Sequence, residues 1–314
     1  MRETVMAACV AVVAVTATQP RSDPWQERTV QERLGYPASA RLLIIHADDL
    51  GMAHSVNRAT FEALEQRLIT SASILVPCPW FPDVAQWARA HPEADLGIHL
   101  ALNSEWSGYR WGPVSSANEV PSLLDAQGYL PLTEAMVVKR ARLPEVEREL
   151  RAQIDRAMSA GIRVSHLDSH MATLFRSREL FEVYRRVGES YGLPVLIESQ
   201  GTRGGTQASW QTGDGREAQI DRVVSISPGV NAAGWMAAYE NLLAPLPPGV
   251  YQLIVHLAYD DEEMRAATRG HVDWGSAWRQ SDLDPMKSAA FRQFLQRQGF
   301  VLITWKELSA ARSR

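Results

Sequence analysis

The chain has 314 residues, 46% of them hydrophobic and 22% charged, with a formal net charge of -4. That length buries a large core and suits one barrel-sized domain or two small ones. The charge balance lacks the clustered Lys and Arg that phosphate backbones require, which argues against a nucleic-acid partner and leaves a neutral polymer such as a glycan open.

Residues 1–17 read MRETVMAACVAVVAVTA. Arg2 precedes an apolar run of about a dozen residues, and small residues follow through Ala17, the pattern of a cleaved signal peptide. The run is too short to span a bilayer comfortably. The expectation is a secreted or periplasmic protein with no stable membrane span after cleavage. Residues 18–38 are polar and Pro-bearing and read as a linker, which puts the folded domain at 39–310. Once the signal is removed, Cys78 is the only cysteine left. An internal disulfide is then impossible, and Cys78 reads as a buried, inert thiol.

From residue 41 the pattern alternates. The apolar run Arg41 to His46 predicts a strand buried on both faces. Val56, Ala59, Ala63 and Leu64 form one stripe of a helix over 55–68. A strand at Ser73–Val76, a helix at Phe81–Ala90 and a strand at Asp95–Leu100 follow. The stretch 103–132 is irregular and carries Trp106, Tyr109 and Trp111; loops of this length are often functional. Pro144 and Gly161 bracket a strong helix. Val164–Asp168 reads as strand, 178–191 as helix, Pro194–Ile197 as strand and 200–217 as a Gly-, Ser- and Thr-rich loop. Strands at Val223–Ile226 and Tyr251–Leu257, a helix near 285–298 and a strand at Phe300–Thr304 complete the series.

This alternation predicts a mainly parallel sheet. About seven or eight strands suit a single-domain α/β fold, a distorted TIM-like β/α barrel, with a doubly wound open sheet as the alternative.

Active sites of such folds lie at the C-terminal ends of the strands. The first strand runs into Asp48-Asp49. Two adjacent acids after a buried run are costly unless paired, metal-bound or exposed in a cleft. Helix capping accounts for one of them but not both. His99 ends the third strand, His166, Asp168 and His170 follow the fourth, and His256 lies on the late strand. Carboxylates and imidazoles gathered on one face suit zinc, or magnesium or manganese where oxygen and water dominate.

Taken in order, HADDLG, ITSASILVP, LGIHL, SHLDSH and the closing Leu302 to Leu308 segment resemble the YdjC-type carbohydrate deacetylases, from about residue 41 to residue 308. The resemblance implies a distorted β/α barrel and a metal-dependent hydrolase that removes N-acetyl groups from acetylated sugars or oligosaccharides. Carried over by position, Asp49, His99 and His170 would hold a divalent ion, Mg2+ or Zn2+. Asp48 would be the general base, and His256 an acid or substrate contact. His166 and Asp168 would orient the ligands. Met171-Ala172-Thr173-Leu174 stands where family members often carry further histidines, and His256-Leu257 replaces a usual His-Pro; both departures leave the substrate open.

The ten Trp residues suit sugar faces, although core packing is the commoner use. Trp106, Trp111, Trp274 and Arg279 are the candidate substrate contacts, with Tyr109 and Trp278 also considered. A surface ion pair is the default for Arg279, with Asp282 as one partner. Two other functions remain open: a secreted glycan-binding protein of the same fold without activity, and a metal-dependent hydrolase of another amide or ester. Homodimerisation is open too.

Overall fold

The computed structural model describes residues 28–198 and 219–310. The expected signal peptide, the first part of the expected linker and the 200–217 loop lie outside these residues.

Short helix α1 (Val30–Arg33) precedes β1 (Arg41–Leu50), α2 (His54–Glu65), β2 (Ser71–Ile74), α3 (Phe81–Ala90) and β3 (Leu96–Leu100). A long irregular stretch then leads to α4 (Glu134–Arg140), α5 (Leu143–Ser159), β4 (Val164–Ser169), α6 (Arg178–Tyr191) and β5 (Ile197–Glu198). The chain continues with β6 (Gln219–Ile220), β7 (Arg222–Val224), α7 (Trp235–Leu243), β8 (Gly249–Val255) and α8 (Glu262–Ala267). It ends with α9 (Ser276–Lys287), α10 (Ala289–Arg297), β9 (Phe300–Leu302) and α11 (Trp305–Ala310).

The main sheet has seven strands in the order β4-β3-β2-β1-β8-β7, with β9 also on β1. Every pairing described is parallel. Beyond β4, Leu167 bridges to Val195, and β5 pairs with β6. At the other edge the Asp221 amide donates to the Val250 carbonyl. The sheet therefore curls into a distorted, partly closed barrel with helices packed outside, a single-domain α/β fold.

Strand alternation sorts the side chains. On β1, Leu43, Ile45 and Ala47 join the main core beneath the helices, while Leu42 and Ile44 join a second cluster with Val250, Ile303 and Trp305. That second cluster fills the N-terminal end of the barrel, and Trp305 of α11 plugs it, fully buried, with its Nε1 donating to Gln252. Polar residues take over further along the same inward face: His46, Ser73 and His166 are fully buried. Gly97 leaves room for the His166 ring; a Cβ there would lie 2.4 Å from it.

The structure differs from the expectations in several places. The stretch read as linker contains α1, capped by Thr29, and Val30, Leu34 and Tyr36 pack on the barrel-end cluster. Folded structure thus begins ahead of residue 39. The helix near 285–298 is two helices, α9 and α10, parted at Ser288. Pro285 sits inside α9 and hides that helix from pattern reading, because Pro ordinarily ends one. Helices α4, α7, α8 and α11 are short and carry little periodic signal.

Candidate metal centre

The two acids at the end of β1 reach one site because the backbone breaks its alternation. Asp49 has a left-handed φ of 67°, and the pairing of β1 with β2 shifts register between Ala47 and Leu50. Regular pleating would send adjacent side chains to opposite faces. The bulge turns Asp49 back beside Asp48, a backbone strain of the kind found at functional sites.

Asp49 Oδ1 lies 3.5 Å from His99 Nε2 and 3.3 Å from His170 Nδ1. It is buried and makes no well-formed hydrogen bond. His99 comes from β3, and His170 opens a short 3-10 stretch directly after β4. Among the described residues, three buried groupings could hold an ion: Asp49 with His99 and His170, Asp48 with His99 and Asp168, and His46 with His166 and Asp168. The first two border a cavity of about 940 Å³ and each has an unpaired carboxylate oxygen, but in the second Asp168 already engages His99 and His46, whereas the first points one unpaired oxygen of Asp49 at two imidazoles.

Each of these two imidazoles is held from behind by a carboxylate. Asp168 Oδ1 lies 2.7 Å from His99 Nδ1, and Glu105 Oε2 lies 2.9 Å from His170 Nε2. A proton on the rear nitrogen leaves the front nitrogen free to bind a cation, the usual arrangement behind a ligating histidine.

The electrostatics are those of a cation site. Burial alone would raise the Asp49 carboxyl, yet Arg279 and His170 outweigh it and hold Asp49 well below the ordinary carboxylate range. Burial opposes charge on His99, but Asp168 and Asp48 lift it to about 9. Burial likewise opposes charge on His170, and Glu105 and Asp49 lift it to about 10. Burial raises Asp48 to about 6. His256 moves the other way: burial pushes its imidazole down to about 3, so it is neutral at pH 7. His256 Nε2 lies 3.8 Å from Asp48 Oδ2, and the His256 amide donates to Asp282 at 2.8 Å.

The site thus gathers Asp48, Asp49, His99, Asp168, His170 and His256. His166 stands one layer deeper, stacked on Trp305 at 4.5 Å and edge-on to His46. Trp111 is buried against His170 rather than on the cavity wall. Trp106 lines the cavity but is almost wholly buried, its edge on His271. Trp278 packs against Trp235, and the Tyr109 hydroxyl donates to the Met52 carbonyl. Trp274 is the exposed aromatic residue of this set, 39% accessible at the cavity. Arg279 is no surface ion pair: it is buried, donating to Asp49 Oδ2 at 2.6 Å and to the Trp274 carbonyl at 2.7 Å. Asp282 does not pair with it, but accepts from Trp235, Tyr239 and the His256 amide. Cys78 is buried, and burial pushes its thiol well above the ordinary range, as an inert residue requires.

Glu105 is the residue that sequence reading misses. It lies in the irregular stretch with no periodic cue. The available signal is chemical: each ligating imidazole needs an acceptor behind it, and Asp168 serves one of the two.

Comparison with known proteins identifies the family and the fold. The YdjC-like protein family matches residues 42–297. The chain is 34% identical to a carbohydrate deacetylase of Thermus thermophilus over 284 residues, covering 89% of this chain and 98% of that one. It is 29% identical to a carbohydrate deacetylase of Brevibacillus brevis, covering 85% and 99% of the two chains. Among solved structures, a protein described as a cellobiose-phosphate cleavage protein from Enterococcus faecalis superposes with a TM-score of 0.74 at 22% identity, covering 86% of this chain and 99% of that one, which establishes the shared fold. With the family matched over most of its length, the chain belongs to the YdjC-like family.

Proposed function

We propose that the chain is a metal-dependent hydrolase that removes N-acetyl groups from acetylated sugars or oligosaccharides. The observation that carries the reading is the orphaned Asp49 Oδ1, buried between the front nitrogens of His99 and His170 at the floor of a large cavity. Relatives named as carbohydrate deacetylases support the substrate class. One carboxylate and two imidazoles fit zinc, and magnesium where water completes the shell.

A divalent ion held by Asp49, His99 and His170 would supply Lewis acidity toward a water molecule and the amide carbonyl. Asp48 takes the water proton. Its carboxyl, lifted to about 6 by burial, is matched to general-base work near neutral pH. Arg279 holds the far oxygen of Asp49 and fixes that carboxylate. Asp48, once it holds that proton, returns it to the leaving amine nitrogen, and His256, neutral with its Nε2 3.8 Å from Asp48 Oδ2, stands beside that nitrogen as a contact that orients it. Asp282 anchors the His256 backbone for that contact. Trp274 offers a face to a sugar ring at the cavity mouth. Export, the reading of the apolar run at residues 1–17, would put the substrate outside the cytoplasm.

The test is acetate release from chito-oligosaccharides and a panel of other acetylated sugars, with chelator-stripped and metal-reloaded protein. Release that disappears on stripping and returns with Mg2+ or Zn2+ is the expected outcome. Undiminished release by the stripped protein would refute metal dependence, and no release from any acetylated sugar would refute the substrate class.

A further inference from the structure

The polar contacts behind His99 do not stop at Asp168. Asp168 Oδ1 takes His99 Nδ1 at 2.7 Å, and its Oδ2 takes His46 Nε2 at 3.0 Å. Ser73 Oγ sits between the two rings, 3.0 Å from His46 Nε2 and 3.2 Å from His99 Nδ1. The four residues belong to β1, β2, β3 and β4, neighbours in strand order, and all are buried.

We propose that His46 is a positioning residue for the metal ligand His99, acting through Asp168. His46 Nδ1 is buried with no hydrogen-bond partner. A proton there would be an orphaned donor in a dry core, which is costly. The geometry therefore selects the tautomer with the proton on Nε2, aimed at Asp168. Asp168 then receives one N–H on each oxygen, so its carboxylate plane is fixed at both ends. With that plane fixed, the ring of His99 is held with Nε2 toward Asp49. Without the donor from His46, Asp168 Oδ2 would stay buried with one contact fewer, and the carboxylate could rotate away from His99.

His46, His166 and Asp168 also form one of the groupings with ion-binding residue types. A relay accounts for them better than a second ion does. Both Asp168 oxygens and His46 Nε2 already have partners, and neither His46 nor His166 reaches the cavity wall.

The inference rests on the reading of Asp49, His99 and His170 as the metal centre, and the experiment separates the two. Gln at position 46 offers an N–H at the reach of the histidine Nε2, whereas Asn offers one only at the reach of Nδ1. Zinc affinity of the full chain is measured by competition with a chromogenic chelator for wild type, His46→Gln and His46→Asn, with folding checked by circular dichroism. His46→Gln should bind within about threefold of wild type, and His46→Asn should lose about 10- to 100-fold, the usual effect of removing a group that orients a ligand. An unchanged affinity in His46→Asn, or an equal loss in both variants, overturns the role of His46 while leaving the metal centre standing. A wild-type chain that takes up no zinc overturns the metal centre and the inference with it. Should the variants fail to fold, nitrogen chemical shifts of the wild-type imidazoles decide: a proton on Nε2 of His46 supports the relay, and one on Nδ1 overturns it.

Discussion

The site is built from two halves that are held in different ways. Asp48, His99 and Asp168 sit on β1, β3 and β4, with His46 and Ser73 behind them, and the parallel ladder sets their spacing. His170, Glu105, His256 and Arg279 come from a turn, an irregular stretch, the residue after β8, and α9. Backbone hydrogen bonds fix the first half. The second depends on single contacts: Glu105 on His170, Asp282 on the His256 amide, and Arg279 on Asp49 and the Trp274 carbonyl. Met171 and Ala172, directly after His170, adopt left-handed backbone with φ of 50° and 54°, a conformation that costs energy in residues with a Cβ. One wall of the cavity is therefore held by the ladder and the other by single side-chain contacts.

The largest effect should come from the ladder-held wall. Asp48→Asn keeps the shape of the side chain and removes its basicity. Turnover in acetate release should fall by about 10²- to 10⁴-fold, the range for losing a general base, while metal content stays at the wild-type level. Loss of metal together with turnover would move Asp48 into the ligand set and blur the division of labour in the Asp48-Asp49 pair.

The two halves also differ in how far the sequence discloses them. The strand-borne residues are legible because period and position coincide: a buried apolar run ends in acids, and the next strands end in His99 and in His166 to His170. The adjacency of Asp48 and Asp49 was legible as a cost, but the bulge that resolves it was not, since a left-handed φ at an aspartate leaves no mark in the residue pattern. Arg279 and Asp282 lie one helical turn apart on α9, a helix masked by its own Pro285. Their partners, Asp49 and the His256 amide, are 230 and 26 residues away in sequence. Contacts of that range follow from how helices pack on the barrel, and no local pattern encodes them.

A second test compares the ligands themselves. His99 on the ladder and His170 on the turn are lifted to about 9 and about 10 in the metal-free chain, so both carry a proton at pH 7. A cation must displace both protons. Apparent metal affinity should therefore rise with pH, by up to about 100-fold per unit from about pH 6.5 to about pH 8, and level off above about pH 10. The check is zinc binding at several pH values together with proton release in lightly buffered solution. Release of a single proton would mean that only one half supplies an imidazole ligand.

The smallest effect is the one that separates the halves most directly, because it alters one carboxylate behind each imidazole. Both carboxylates border the cavity, but Asp168 is almost wholly buried, with side-chain exposure of 3%, and bridges His99 and His46, whereas Glu105 has 17% exposure and contacts His170 alone. Removing Asp168 takes the carboxylate from two buried imidazoles at once and leaves the neutral Ser73 hydroxyl between them in its place. Removing Glu105 leaves one imidazole at a cavity that admits water, and water can accept its proton. Metal affinity should accordingly fall by about 100-fold in Asp168→Ala and only about 10-fold in Glu105→Ala, the two ends of the range for residues that orient ligands. Chelator competition on the two variants gives the ratio. Equal losses would show that the turn-borne half is as tightly held as the ladder, and a larger loss in Glu105→Ala would reverse the comparison, making the irregular 103–132 stretch the part that secures the ion.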